Sequence, residues 1–374
     1  MTFWSKPSMH ATKRRKGADA GRREIFCPLF NCMENCYCLL MENYSQKPLI
    51  ELFKSGAFPG EVGTPKHVET VISNVFIFDK NVYKFYKNDS EFFNKSFRNL
   101  ADNEERFSFT EKDYKWNDTL SPSIYIKLTY IAVKEGTIVE VDSRDNAEEI
   151  LMVMNKVDTE NVLFEKLISG EITREDCFEI GKQLGESLKK VQLTLENPPS
   201  FYDLFEARTQ DLKEWISSVP DHIKEEEINT YISFLDNFRI ANQERFKNEL
   251  TSEVVADGDF HSHNAVYSDK QFLLMDTYPP KEEWGLGHKL IPLYRMGVDV
   301  WGLTGKKEYF EAMIEGYELG NDTKVDRSLD ELYIVYAAGI AAPYLYMLQQ
   351  NDPSKKEPAE RFHIFLMKYF QSKG

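Results

Sequence analysis

The sequence predicts an α+β protein in two lobes, a strand-rich first lobe and a mainly helical second one. Three observations carry this. Short apolar runs of strand type fill the chain up to Asn155, long helical periodicities take over from about residue 158, and a dense polar loop between two strand-like pieces interrupts the helices. With 374 residues, 42% hydrophobic and 13% aromatic, the chain can bury a core of the required size, and its composition argues against disorder over most of its length.

The elements follow in order. Residues 48–56 (PLIELFKSG) read as a short helix. VISNVFIF and VYKFYK, separated by Asp79, Lys80 and Asn81, read as a hairpin. Residues 90–119 are charged and helical, IYIKLTYIAV and TIVEVDS form a second strand pair, and EEILMVM is a buried strand. Helices are expected over roughly 158–168, 173–196, 202–218 and 223–248, and again from about 290 to the end. Thr173 with Asp176 three residues on has the form of a capping box. The pieces EVVA and QFLLMDT are strand-like and flank DGDFHSHNAVYS. This divides the chain into an extension over 1–40, a first lobe over 41–154 and a helical lobe over 155–374.

Charge and cysteine content narrow the function classes. The net charge is −15, and residues 1–40 hold seven Lys/Arg against three Asp/Glu, a balance of +4 that leaves −19 for the rest. So acidic a body argues against nucleic acid as a partner. No apolar run reaches the roughly 18 residues of a membrane span, so no membrane association is expected. Residues 1–40 combine a basic stretch (KRRKGADAGRR) with Cys27, Cys32, Cys36 and Cys38, but neither paired CxxC spacing nor an uninterrupted signal-type core. They are expected to lie outside the folded unit, as a disordered extension or a misassigned start before Met41. Cys177 is the one thiol beyond them, which suits a reducing cytoplasm.

The chemistry concentrates in Asp257-Gly258-Asp259-Phe260-His261-Ser262-His263-Asn264. Asp259 and Asn264 are five apart, and Asp276 lies twelve beyond Asn264 at the end of the apolar run FLLM. Phosphoryl transfer needs a carboxylate to orient a hydroxyl nucleophile and oxygen ligands to hold magnesium on the nucleotide phosphates. A loop offering D-x-x-x-x-N, followed by a strand ending in Asp, supplies both, at the spacing of a kinase catalytic loop and its metal-binding aspartate. A cation for the phosphates is also required. In VYKFYK, Lys84 shares a strand face with Val82 and Tyr86 while Lys87 points the other way, so Lys84 is chosen. Its carboxylate partner is sought among Glu104, Glu105, Glu111 and Asp113 of the following helix.

DGDFHSHN resembles the HGDxHxxN signature of the aminoglycoside-phosphotransferase-like kinases, LLMDT resembles their metal-binding aspartate, and SNVFIFDKNVYKFYK resembles the nucleotide-loop and lysine strands of a largely uncharacterised bacterial branch. The resemblance runs from about Thr64 through Asp276, with EEILMVMNKVD joining the lobes. It implies a protein-kinase-like fold and an ATP- and magnesium-dependent transfer of phosphate to a hydroxyl of a small molecule. It also implies Asp259 as catalytic base, Asn264 and Asp276 as magnesium ligands, Lys84 on the phosphates with Glu111 as its partner, Ser73 and Asn74 in the nucleotide loop, and Met152 to Met154 along the adenine site. Asp257 stands where the signature has histidine. An acceptor pocket is expected around Tyr278, Glu282, Glu283 and Trp284, where acidic residues would suit an amine-bearing alcohol.

Two other readings stay open at this point. D-F-H-S-H also has the form D-x-H-x-H of a metal-dependent hydrolase, which would need further ligands converging from elsewhere. A kinase-like module that binds nucleotide without turnover would account for Asp257. Without the resemblance, Met152 and Met154 are simply core, Lys84 could be a solvated strand lysine, and D-x-x-x-x-N is a common turn composition.

Overall fold

A computed structural model describes residues 45–374 except 97, 198, 219–224, 249–252, 257, 278–285, 349–352 and 373–374. The chain runs from α1 (Lys47–Lys54) through β1 (Lys66–Glu69), β2 (Ser73–Ile77) and β3 (Asn81–Tyr86) to α2 (Glu91–Ser96) and α3 (Asn103–Leu120). It then forms β4 (Tyr125–Lys134), β5 (Thr137–Val141) and β6 (Glu149–Asn155). All six strands join one antiparallel sheet in the order β1-β2-β3-β6-β4-β5. The expected hairpin forms as β2–β3, and β6 inserts between β3 and β4 with Met152 opposite Lys84 and Met154 opposite Val82.

Strand alternation gives the sheet two different faces. Phe76, Phe85, Leu151 and Val153 pack with Leu49 and Phe53 of α1. Tyr86 and Met152 belong instead to a second cluster with Phe109 of α3. Helix α3 is capped by Asp102, which accepts from the Glu105 amide at 2.9 Å. It buries Arg106, Phe109, Thr110, Asp113, Trp116, Asn117 and Leu120, a stripe at three- and four-residue spacing that contains four polar side chains and three apolar ones. Arg106 and Glu149 are both fully buried and pair through Nε at 3.1 and 3.2 Å, while Gln46 donates to the same carboxylate at 2.6 Å.

After β6 the chain is mostly helical: α4 (Leu163–Ile168), α5 (Arg174–Lys189), α6 (Phe201–Ser218), α7 (Glu225–Ala241), α8 (Gln243–Asn248), α9 (Ile291–Thr304), α10 (Lys307–Asn321), α11 (Asp330–Leu348) and α12 (Lys356–Gln371). Short strands β7 (Leu193–Thr194), β8 (Glu253–Ala256), β9 (Ala265–Ser268), β10 (Gln271–Leu274) and β11 (Leu286–His288) punctuate it. The α+β class expected from the sequence, an antiparallel strand-rich part followed by a helical part, is what the structure shows. The capping box also forms, with Thr173 Oγ1 accepting from Asp176 N at 3.1 Å and Asp176 accepting from Thr173 N at 3.0 Å.

Helices α5 and α10 touch through glycine. A Cβ at Gly316 would lie 2.0 Å from the Phe178 carbonyl, one at Gly320 2.0 Å from that of Lys182, and one at Gly181 2.1 Å from that of Met313. Backbone meets backbone there, so no larger residue fits without moving a helix.

Two expectations are corrected. The helix expected over 173–196 stops at Lys189, because Leu193 and Thr194 pair with Val254 and Glu253 of β8. The stretch AVYS, grouped above with the polar loop, is β9, paired with β10 across a turn in which Asp269 and Lys270 both have positive φ. Among the described residues, no helix is long and apolar enough to cross a membrane.

Candidate active site

The polar loop leaves β8, makes a single 3-10 turn over Ser262–Asn264 and enters β9. Alternate side chains hold it down. Phe260 and Ser262 are buried, while Asp259, His261 and His263 keep partial exposure. Beneath the loop, Asp299 of α9 accepts from Ser262 N at 2.8 Å and Ser262 Oγ at 2.5 Å. Its other oxygen accepts from Arg361 of α12 at 2.9 and 3.1 Å. Burial pushes the Asp299 carboxyl up, but Arg361, His261 and the Ser262 donors outweigh it and hold it below the usual range. Arg295 adds a bond from Nη1 to the Gly258 carbonyl at 2.9 Å.

Asn264 ties the loop to Asp276. Its Nδ2 donates to the Asp259 carbonyl at 3.1 Å and to the Asp276 carbonyl at 3.4 Å, and its own carbonyl accepts from Met275 N at 2.9 Å. Asp276 adopts a left-handed backbone with φ of 54°, and its amide donates to Tyr125 Oη of β4 at 2.9 Å. The next residue, Thr277, docks on α3 through Asn117 Oδ1 at 3.1 Å and Trp116 Nε1 at 3.1 Å. The Asp276 side chain stays 47% exposed.

Lys84 completes the group from the sheet. Its ammonium is hydrogen-bonded to the Asp276 carboxylate and lies 4.0 Å from Asp113 of α3, which also accepts from Tyr86 Oη at 2.6 Å. Burial opposes its charge, but the two aspartates prevail and raise its pKa. For Asp113 burial wins, lifting the carboxyl to about 6 against the pull of Lys84 and Tyr86.

Glu111 is not the partner of Lys84. It accepts from Tyr130 at 2.8 Å and pairs with Arg144 at 3.2 Å. The reason is helical phase: Asp113 lies on the buried stripe of α3 with Phe109, Trp116 and Leu120, and Glu111 lies off it. Ser73 and Asn74 are buried in β2. Ser73 Oγ bonds Thr70 Oγ1 at 2.8 Å, Asn74 Oδ1 faces His67 Nε2 at 3.0 Å, and Asn74 Nδ2 is buried without a partner among the described residues. Met152 is buried and Met154 half-buried on the Lys84 face, in an apolar cluster with Tyr125, Leu273 and Met275. Asp257, Tyr278, Glu282, Glu283 and Trp284 lie outside the described residues.

Asp259 accepts from His261 Nε2 at 3.1 Å. Burial pushes its carboxyl up, yet His261, Lys355 and Arg295 together hold it well below the usual range. The D-x-H-x-H reading fares poorly. The His263 ring stacks on Phe164 at 3.8 Å and stands 75° to that of His261, and among the described residues no three His, Cys, Asp or Glu side chains form a metal-binding group. Sequence reasoning missed Tyr125, Arg295, Asp299 and Arg361, which come from distant elements without a local motif. Asp113 was among the candidates, but α3 has no single apolar face in the sequence that would select it: Phe107 is buried as well as Phe109 and Trp116.

No family model matches the chain, and no curated protein matches it. Solved structures do. A choline kinase from Streptococcus pneumoniae is 10% identical, over 87% of this chain and 100% of that one, with a TM-score of 0.48. A glucosamine kinase is 12% identical, over 85% and 82%, with a TM-score of 0.45. An aminoglycoside phosphotransferase from Streptomyces rimosus is 12% identical, over 78% and 97%, with a TM-score of 0.42. All three are small-molecule kinases.

Proposed function

We propose that the folded part of the chain is an ATP- and magnesium-dependent kinase that phosphorylates a hydroxyl of a small molecule, with residues up to 154 serving the nucleotide and 155–374 the acceptor. The supporting observation is the meeting of Lys84, Asn264 and Asp276, from β3, the polar loop and the end of β10, at one place beside Asp259. The reaction breaks the bond between the γ-phosphorus and the ADP oxygen, forms one from phosphorus to the acceptor oxygen, and releases a proton.

The donor set fits magnesium. Asn264 spends its Nδ2 on two backbone carbonyls, which leaves Oδ1 for a ligand, and the Asp276 carboxylate is partly exposed, so both offer the hard oxygen atoms this cation takes. When bound, magnesium neutralises phosphate charge. Lys84 would add a second positive charge there, exchanging Asp276 for phosphate. Asp259, held ionised, would orient the acceptor hydroxyl and take its proton late, since so acidic a carboxyl is a poor base before the phosphoryl group has moved.

The test is thermal shift and calorimetry with magnesium and ATP on the wild type beside Asp276→Ala. Stabilisation that requires magnesium and disappears in the variant is expected. In Asp259→Ala, nucleotide binding should persist while turnover falls by about a hundredfold or more. Wild type that ignores magnesium–ATP, or Asp259→Ala that turns over normally, would defeat the reading.

A further inference from the structure

The Asp276 carboxylate is carried by a residue in an unfavourable backbone conformation. Its φ of 54° is left-handed, a region that most side chains avoid and aspartate tolerates at a cost. Freed of its partners, the residue would relax to an ordinary φ, and the carboxylate would swing away from Lys84 and Asn264. Three parts of the fold oppose this, each through a different backbone group. The Asp276 carbonyl accepts from Asn264 of the polar loop over a long 3.4 Å. Thr277 is fully buried against α3, its amide donating to Asn117 Oδ1 at 3.1 Å and its carbonyl accepting from Asn117 Nδ2 at 2.8 Å. The Asp276 amide itself has one partner among the described residues, Tyr125 Oη at 2.9 Å.

Tyr125 reaches that amide because β4 is irregular at its start. Tyr125 stands opposite Met154 and Lys127 opposite Val153, so Ile126 is an extra residue, a bulge. Ile126 and Lys127 are both exposed as a result. Tyr125 then joins the same cluster as Leu128, three residues on, where strict alternation would put the two on opposite faces. That face also carries Lys84, Met152 and Met154. Bulges recur beside functional sites because they re-aim a side chain in this way. Tyr125 is 4% exposed, and burial, followed by Asp276 and Asp113, pushes its phenol well up, so its oxygen meets the amide as a neutral acceptor.

We propose that Tyr125 is a positioning residue for the metal: by binding the Asp276 amide it holds the carboxylate ready for magnesium, without itself being a ligand. This rests on the kinase reading above. A metal ligand whose support is removed must be reordered when the cation binds, which weakens the metal more than the nucleotide.

The experiment follows ADP binding to the full chain by calorimetry and thermal shift across a magnesium titration, for the wild type, Tyr125→Phe, Asp276→Ala and Tyr114→Phe. Tyr114 meets Tyr125 edge to face with ring centroids 6.4 Å apart, so its variant controls for loss of a neighbouring hydroxyl. Tyr125→Phe should raise the half-saturating magnesium concentration about tenfold, with ADP affinity recovering once magnesium saturates. Tyr114→Phe should match the wild type, and Asp276→Ala should lose the magnesium response. Hydrogen exchange without magnesium or nucleotide should quicken at the Asp276 amide in Tyr125→Phe and not in Tyr114→Phe. A merely structural role for Tyr125 would instead weaken ADP binding equally at every magnesium concentration. That pattern, an unchanged magnesium requirement in Tyr125→Phe, or unchanged exchange at Asp276 would overturn the proposal. A wild type without any magnesium–ADP shift defeats the kinase reading and the metal role of Tyr125 with it, and is told apart because it needs no substitution to appear.

Discussion

Buried carboxylates behave in opposite ways in the two parts of the molecule. In the sheet part, burial wins: Asp113 is lifted to about 6, and Glu149 is raised despite Arg106 and Gln46. In the helical part the partners win. Asp299 is held low by Arg361, His261 and Ser262, and Asp176, which burial pushes up, is held low by Lys270, Thr173 and Tyr267. For Asp113 the cause lies in how charge is shared. Asp299 has Arg361 and two Ser262 donors, whereas Asp113 must share Lys84 with Asp276, whose like charge raises it further. The helical part fixes its ionisation, while the sheet part, next to the proposed phosphate site, leaves one carboxyl poised to change.

The largest way to break this contrast is to remove half of the buried pair. Arg106→Met should destabilise the protein by about 3–5 kcal/mol, because it strands Glu149 as a buried, unpaired charge. The double variant Arg106→Met/Glu149→Leu should recover most of that loss in urea titration. If the double variant is as unstable as the single one, the pair stabilises the sheet part outright and the contrast with Asp299 disappears.

The helical part has its own weak point, and it is steric. Gly316→Ala should cost about 1–3 kcal/mol by forcing α5 and α10 apart, even after a gain in helix propensity of up to about 1 kcal/mol. Gly302→Ala is the internal control. The nearest atom to its Cβ would be 3.6 Å away, so propensity alone should make it neutral or slightly stabilising. Equal melting temperatures for the two variants would mean that the helices slide apart without penalty.

Much of this arrangement was legible in the sequence because it is written in local pattern. Strand alternation placed Lys84 on the face opposite to Lys87, where Asp276 and Asp113 meet it, and Thr173 with Asp176 announced the start of α5. The D-x-x-x-x-N loop and the later aspartate were found by spacing, and the structure brings Asn264 and Asp276 together. What could not be read depends on long-range docking. Nothing near Asp299 or Arg361 says that α12 supports, through Asp299, a loop about a hundred residues earlier. The resemblance implies Glu111, and the apolar pattern of α3 does not separate it from Asp113, because Phe107 is buried one turn before Glu111 as Phe109 is one turn before Asp113.

The smallest effect is also the most specific, because the two parts should respond to pH in opposite directions. Asp113, at about 6 in the fold against an ordinary 3.8, takes its proton in the folded state first. Its contribution is complete below 3.8 and lost as pH rises through about 6, so acidification from pH 7 to 5 should strengthen the sheet part by about 1 kcal/mol. His263, which burial and its cationic neighbours lower to about 4 from 6.5, takes its proton in the unfolded state first. Its contribution is present above 6.5 and lost as pH falls toward 4, so the same change should weaken the polar loop. Hydrogen-exchange protection, measured without magnesium or nucleotide and corrected for intrinsic rates, should rise in β3 and α3 and fall in residues 258–268. Asp113→Asn should flatten the first response and His263→Gln the second. Parallel movement of both parts in the wild type would show that one global equilibrium governs them, and that the poised carboxyl beside Lys84 has no local consequence.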